Sequence, residues 1–424
     1  MTRTSTVLDK PHRSPAMRVV NGVGQRLPWL KRAAFPLEAQ ALIARAERQA
    51  GVRGSEFRLP PEHYAEGLSR LLASLREEAE LTATGQALAH TMVVESLATR
   101  MRLEHLWSRT PQRPEPIRAP LFVVGLPRTG TTFLYKLLNQ DPRNRAPLTW
   151  ELRWPEAHLA GQAQVRRRIR QTQRGVDLLY RMCPGLDAMH FSSATTPEED
   201  FSIFRLELCS TYFTVFFHVP SYNEWVVDQT KHQSFGIHRR VLETLSRPST
   251  PARALGERWL LKSPEYLRRL PALFETYPDA RIIHCHRSPA HVCGSEASLI
   301  SMVQGMASDV VDVAAKRRQL QAVFADMLSE GMRARRALPN GRECAFDLRY
   351  ADLVADPMAA VERIYDHFGD PLSDEARRRM QAFLARNPKD RRGKHQYEVP
   401  QLTDLRDEEA RVFSEYCDEV GIPL

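Results

Sequence analysis

Four short stretches of the chain carry residue types able to hold and move an anion. The first is Gly125-Leu-Pro-Arg-Thr-Gly130-Thr-Thr132, placed between the apolar run Leu121–Val124 and a segment bearing Phe133, Leu134, Leu137 and Leu138. Gly-x4-Gly between a strand and a helix is phosphate-loop spacing, in which backbone N–H groups and a helix N-terminus cradle an anion. A nucleotide triphosphatase would continue with Lys and Ser or Thr, whereas Thr131 and Thr132 stand here. The lysine that serves β- and γ-phosphates is therefore missing. Arg128 supplies positive charge inside the loop instead, and no run ending in a Walker-B aspartate is evident. Such a loop suits the anionic end of a nucleotide held without Mg²⁺.

The second stretch, Arg287-Ser-Pro-Ala-His-Val-Cys-Gly-Ser295, follows an apolar run. An Arg at a strand end and a Ser eight residues on, inside the next helix, can clamp one phosphate from two sides. The third is Trp259-Leu-Leu-Lys262. A Lys closing an apolar run is costly unless it meets an anionic partner or snorkels to water. The fourth, Arg391-Arg392-Gly393-Lys394-His395, is a basic glycine loop that can close over an anion, although most such runs are simply solvated.

A transfer reaction also needs a proton acceptor. His190 lies upstream of the acidic cluster Glu198-Glu199-Asp200, which can orient an imidazole. Its competing role is that of a core histidine. Glu151, in Thr-Trp-Glu-Leu-Arg153, is the second candidate, and its competing role is an ion pair with Arg145 or Arg153. Glu198 and Glu199 are either orienting groups or the first turn of a helix after Pro197. The aromatic stretch Tyr212–Phe217, with Tyr222 and Trp225, fits either an apolar acceptor pocket or a helix core.

These residues must be positioned by regular elements. Leu121–Val124, Ala-Arg-Ile-Ile-His-Cys-His286 and Cys-Ala-Phe-Asp-Leu-Arg-Tyr350 read as strands, each followed by a helical pattern. That alternation predicts an α/β fold, with a P-loop-like doubly wound parallel sheet flanked by helices and ligands at the carboxyl ends of the strands. From Pro36 to Trp107 the apolar spacing is helical, with Gly51 as a stop signal. Pro111–Pro120 reads as a linker. Three regions result: a poorly ordered basic arm over 1–35, a helical region over 36–116, and an α/β domain over 117–424.

The whole-chain totals agree. The 424 residues are 42% apolar and 26% charged, enough for a sizeable core. A net charge of +9 favours anionic partners. The Arg residues are spread along the chain with no nucleic-acid module, so no nucleic-acid partner is expected. Six cysteines without CxxC spacing exclude a zinc ribbon and fit a reducing compartment. The first residues lack the apolar core of a signal peptide. No stretch approaches the roughly 20 apolar residues of a membrane span. A cytoplasmic location is expected.

Taken together, the four stretches resemble the sulfotransferases that use 3′-phosphoadenosine 5′-phosphosulfate (PAPS), and more closely the bacterial type with an N-terminal helical extension. The likeness covers the chain from about Pro36 onward. It implies PAPS as co-substrate, no metal, and transfer of a sulfuryl group to a hydroxyl of an apolar small molecule such as a lipid or polyketide. Arg128, Thr129, Gly130, Thr131 and Thr132 then hold the 5′-phosphosulfate end, and Arg287 and Ser295 the 3′-phosphate. Arg392, Gly393 and Lys394 cover the same phosphate. Tyr350 lies near the nucleotide, although Ala351 stands where the family often has an acid. Arg128 and Lys262 stabilise the transferring charge. The position of His190 resembles that of the base in some bacterial relatives, and Glu151 resembles the base of the tyrosylprotein branch. A P-loop kinase and a non-catalytic nucleotide-binding protein are the alternatives. A homo-oligomer is compatible with all three.

Overall fold

The run Leu-Phe-Val-Val has no polar position, and only a strand covered on both faces can bury it. In the computed structural model it is the central strand of the sheet. The structure describes residues 13–52, 58–110, 116–230, 235–247, 256–338, 343–387 and 405–424. The five strands are β1 (Leu121–Val124), β2 (Asn144–Arg145), β3 (Arg258–Lys262), β4 (Arg281–His286) and β5 (Ala345–Arg349). Their order is β2-β3-β1-β4-β5, and all pairs are parallel. The chain thus winds to one side of β1 and then to the other, as expected for a doubly wound sheet.

Alternation along β1 splits the core in two. Phe122 and Val124 join a cluster with Leu261, Ile282, Tyr266, Phe324 and Phe413. Leu121 and Val123 face the other way, onto Leu134, Leu138, Leu260, Ile283 and Ile364. Register then fixes the site. Val123 pairs with Lys262 and Val124 with His284, so the loops after β1, β3 and β4 emerge side by side at the carboxyl edge.

The helical N-terminal segment is observed as helices Ala39–Ala50, Ala65–Glu77 and Ala83–Arg109. Gly51 ends the first in the left-handed conformation, φ +75°, as its stop signal predicts. These helices do not enclose a core of their own. Leu42, Leu71, Leu72, Val93 and Leu97 pack with Leu208, Phe213, Phe217, Tyr222 and Ala307 from the α/β part.

One expectation is corrected. Residues 15–34 of the basic arm are two helices, Pro15–Arg26 and Pro28–Ala34. Pro15 and Pro28 are first-turn residues, where the lost N–H has no helical partner anyway. Ser14 caps the first helix through the Met17 amide at 3.4 Å. Residues 1–12 lie outside the described set.

Gly85 marks where the N-terminal helices meet the rest. A Cβ there would run into the Ala307 carbonyl. Gly85→Ala is expected to lower the unfolding free energy by about 2–3 kcal/mol, measured as the midpoint of urea unfolding. An unchanged midpoint would show that the Ala307 turn moves aside freely.

Candidate active site

The loop after β1 needs two backbone conformations that side chains disfavour. Gly125 has φ +139° and sits against the Cys285 carbonyl of β4. Gly130 has φ +88° and opens the helix Thr131–Leu138 with no capping side chain. A Cβ on Gly130 would lie 3.0 Å from the Tyr350 ring and 3.1 Å from Leu353. Both positions therefore need glycine, for their backbone conformation and for close contacts within the chain. Arg128, between the glycines, is itself left-handed at φ +64°.

The residues predicted as two separate phosphate clamps are joined. Arg128 Nε donates to Ser295 Oγ at 3.1 Å, and its Nη1 donates to the Met189 carbonyl at 3.2 Å. Arg287 Nη1 donates to the Arg128 carbonyl at 2.9 Å, and its guanidinium lies 4.2 Å from the Tyr350 ring centre. Thr129 is buried and donates its hydroxyl to the Leu126 carbonyl at 2.7 Å, so it shapes the loop. Beside this group the Ser288 hydroxyl is buried without a partner among the described residues. A cluster of cations, hydroxyls and helix N-terminal amides with an unmatched buried donor fits a phosphorylated nucleotide. The predicted Arg392, Gly393 and Lys394 lie outside the described residues.

Lys262 closes β3 with its side chain buried. Its Nζ donates to Thr132 Oγ1 at 3.1 Å and pairs with the Glu199 carboxylate. The partner required by burial is thus found within the chain. Below it, Asp200 accepts the Lys262 backbone N–H at 2.9 Å and the Tyr266 hydroxyl. It also accepts from His238 Nε2 at 2.7 Å, and His238 Nδ1 faces the Tyr277 hydroxyl at 2.8 Å. Because Asp200 is acceptor-only, the proton of His238 is assigned to Nε2. Sequence reading singled out neither His238 nor this role of Asp200, since buried polar pairing leaves no periodic signal.

The two base candidates separate. His190 follows the short helix Leu186–Met189, and its Nε2 lies 3.3 Å from Glu198 Oε1. Burial opposes charge on the imidazole, but the Glu198 and Glu199 carboxylates outweigh it and raise the His190 pKa. Burial likewise opposes charge on Glu198, yet His190 and the Ser192 hydroxyl bring it down to about 2. Glu151 faces inward instead. It accepts the Leu148 amide at 2.9 Å and pairs with Arg145 at 3.4 Å, and Arg145 stacks 4.2 Å from the Trp259 ring centre. That is the ion-pair alternative weighed for it.

Part of this group borders one cavity of about 560 Å³. Arg128, Thr131, Thr132, His190, Glu198 and Glu199 supply its polar wall. Met92, Val176, Leu179, Phe216, Val303 and Phe324 supply much of its apolar wall. Tyr212, Phe216 and Phe217 line the cavity while Phe213 and Tyr222 fill the core, so the aromatic stretch does both jobs. Glu151 is absent from the lining.

Glu296 is a lining residue that sequence reading missed, although it adjoins Ser295. Its Oε2 is buried without a partner among the described residues. Burial pushes its carboxyl up to about 7, helped by Glu199 and opposed by Arg128. A further group, His284, His286 and Asp347, has ligand-like spacing and does not line the cavity, and the Arg335 guanidinium reaches both His284 Nδ1 and Asp347 as its cation.

The fold and site define a doubly wound α/β protein with a lysine-free phosphate loop and an apolar cavity alongside it. A profile described as the sulfotransferase family matches residues 120–374, and the chain belongs to that family. It is 28% identical over 261 residues to the omega-hydroxy-beta-dihydromenaquinone-9 sulfotransferase Stf3 of Mycobacterium bovis, and equally to that of Mycobacterium tuberculosis. Each alignment covers 59% of this chain and 62% of the relative, so the match spans under two thirds of those proteins. Sulfotransferase STF9 from Mycobacterium avium superposes with a TM-score of 0.77 at 25% identity, covering 91% of this chain and 97% of that one. Sulfotransferase STF1 from Mycobacterium tuberculosis gives 0.73 at 27%, covering 89% and 98%.

The raised Glu296 carboxyl makes stability depend on pH. Unfolded, Glu296 loses its proton near its ordinary value of 4.5, whereas the folded protein keeps it until about 7. The native state binds the extra proton in that window, so stability falls as pH rises through it. Glu296→Gln is expected to leave stability unchanged at pH 4 and to raise it at pH 8 by on the order of 1–3 kcal/mol. Urea unfolding at the two pH values reads the difference, and equal effects at both would place the charge elsewhere.

Proposed function

We propose that the protein transfers a sulfuryl group from PAPS to the hydroxyl of an elongated apolar acceptor, without a metal ion, in the cytoplasm. The observation that carries this reading is the meeting of Arg128 and Thr132 with the His190–Glu198 pair on the wall of one largely apolar cavity, with Lys262 held behind that wall on Thr132 and Glu199. Family membership supports PAPS as the donor. Its 5′-phosphosulfate end would lie on Arg128, Gly130, Thr131 and Thr132, and its 3′-phosphate against Arg287 and Ser295 with Tyr350 beside them. The 1–35, 36–116 and 117–424 regions then divide the chain into an arm, an acceptor-side helical layer and the donor-binding domain.

Sulfuryl transfer places acceptor oxygen, sulfur and leaving oxygen in line, and the protein mainly positions them and meets the developing charge. Lys262 reaches the strand end from a buried position, where a cation acts through little water. Its ammonium must leave the Glu199 carboxylate to face a donor oxygen, and Thr132 then retains it. Arg128 meets charge on the leaving side.

His190 takes the hydroxyl proton. Its Nε2–H points at Glu198, which fixes the tautomer and leaves Nδ1 to accept. Glu198 stabilises the imidazolium as it forms. The apolar wall accommodates a long hydrocarbon, and the similar Stf3 proteins are named for a hydroxylated menaquinone derivative.

Two measurements test the reading. Thermal unfolding with 3′-phosphoadenosine 5′-phosphate, the desulfated donor, is expected to show stabilisation without Mg²⁺ at about 2.7 kcal/mol for ligand at 100 times its Kd. Stabilisation by ATP with Mg²⁺ alone would overturn the assignment. Turnover with PAPS and a long-chain alcohol is expected to fall about 10²–10⁴-fold in His190→Ala and to be little changed in Glu151→Gln where that variant folds. The reverse pattern would transfer the base role to Glu151.

A further inference from the structure

The two helices over Pro15–Ala34 carry an apolar face that none of the described residues covers. Eleven large hydrophobic side chains are exposed among the described residues, and seven of them fall between Val19 and Phe35. Val19 is 68% exposed and Trp29 64%, and Val20, Val23, Leu27, Leu30 and Phe35 join them. The first helix turns Met17, Asn21 and Gly24 inward and Val19, Val20 and Val23 outward. The second helix, seven residues long, buries none of its side chains. An isolated helix that short has little stability in water without packing. Its anchors are polar: Lys31 Nζ donates to the Leu81 carbonyl at 2.8 Å, and Gln86 Nε2 donates to the Lys31 and Phe35 carbonyls.

Charge identifies the occupant. Residues 1–35 hold seven Lys and Arg side chains and one acid, Asp9, and no acid occurs between Lys10 and Leu37. Arg18, Arg26 and Arg32 are exposed among the apolar residues. A basic amphipathic element with exposed Trp, Leu and Val matches the interface of an anionic bilayer. A second copy of the chain fits less well, because a two-fold contact would bring the same cations of both copies together, and the acid placed beside the first helix, Asp309, is already engaged by Arg13 and Gln25. No helix of the described residues is long and apolar enough to cross a membrane, so the element lies on the surface.

The element also sits directly behind the cavity. Met17 packs in one cluster with Leu186, Val303 and Met306, and Leu179, Val215 and Leu299 pack against that cluster. Leu186, Val303, Leu179, Val215 and Leu299 are cavity-lining residues. Arg13 pins the same region through the Gly305 carbonyl at 2.7 Å and an ion pair with Asp309.

We propose that the helices Pro15–Arg26 and Pro28–Ala34 dock the protein on anionic lipid bilayers, with Val19, Val20, Val23, Leu27, Trp29 and Leu30 entering the interface and Arg18, Arg26 and Arg32 meeting headgroups. Docking there sets the cavity wall against the membrane from which an apolar acceptor would come; this second clause alone rests on the proposed function.

The test is flotation of the full-length protein with vesicles of phosphatidylcholine, with and without about one third phosphatidylglycerol. Binding to the anionic vesicles is expected, weakened by salt. The double variant Val23→Glu/Trp29→Glu should bind about tenfold more weakly while keeping the parent's urea midpoint. Arg26→Glu/Arg32→Glu should lose binding to anionic vesicles on the same footing. Absence of binding, or binding that both double variants retain, would overturn the proposal. A dimer in light scattering that Val23→Glu/Trp29→Glu dissolves, without vesicle binding, would assign the face to a second copy. Flotation uses neither PAPS nor acceptor, so its outcome is independent of whether sulfuryl transfer is found.

Discussion

The carboxyl edge of the sheet depends on one hydrogen-bonded joint, the Arg128 backbone and side chain held between β1 and β4. Arg287 reaches across to the Arg128 carbonyl, and the Arg128 guanidinium reaches back to Ser295. The parallel register of β1 and β4 brings the loops that carry the two arginines to the same edge of the sheet. The left-handed backbone at Arg128 is held in place by both contacts, and Gly125 lets the loop pass the Cys285 carbonyl. A single loop thereby links the two residue groups to which the proposed function gives the two ends of the donor nucleotide.

Within that frame the site's charges are matched in advance. Lys262 is held by Glu199 and Thr132, His190 by Glu198, and Asp200 is occupied by three donors. Buried ionic groups left unpaired would be far costlier than these pairs. The exception is Glu296, whose oxygen finds no partner among the described residues and whose carboxyl burial keeps protonated well above the ordinary range. A carboxyl that holds its proton up to about pH 7 puts less negative charge near Arg128, where the proposed donor would lie.

Much of this was legible from the residues. The apolar run Leu121–Val124, the two glycines and the loop arginine predict a central strand running through a glycine loop into a helix, as observed. Their signals are local: an all-apolar strand and glycines at positive φ leave marks in sequence. Glu151 stood in sequence as a second candidate beside His190 because nothing local tells a cavity-facing acid from a buried ion pair. Only the meeting of Arg145, Leu148 and Trp259 around Glu151 distinguishes them. His238 and Glu296 escaped notice for a related reason, since their surroundings come from distant segments. The helices over 15–34 were missed because prolines at helix starts resemble linker prolines.

The core shared by the N-terminal helices and residues 208–226 has an evolutionary consequence. Leu88, Met92 and Glu95 border the cavity on the same helix whose Ala89, Val93 and Leu97 seal that core. Neighbouring turns of one helix thus face a ligand on one side and hold the chain together on the other. Substitutions that reshape the cavity from this helix also tax a fold kept only modestly above its stability threshold. Drift toward new ligands should therefore run more freely through the helix Gln162–Met182, which buries only Thr172 and Val176 yet lines the same cavity.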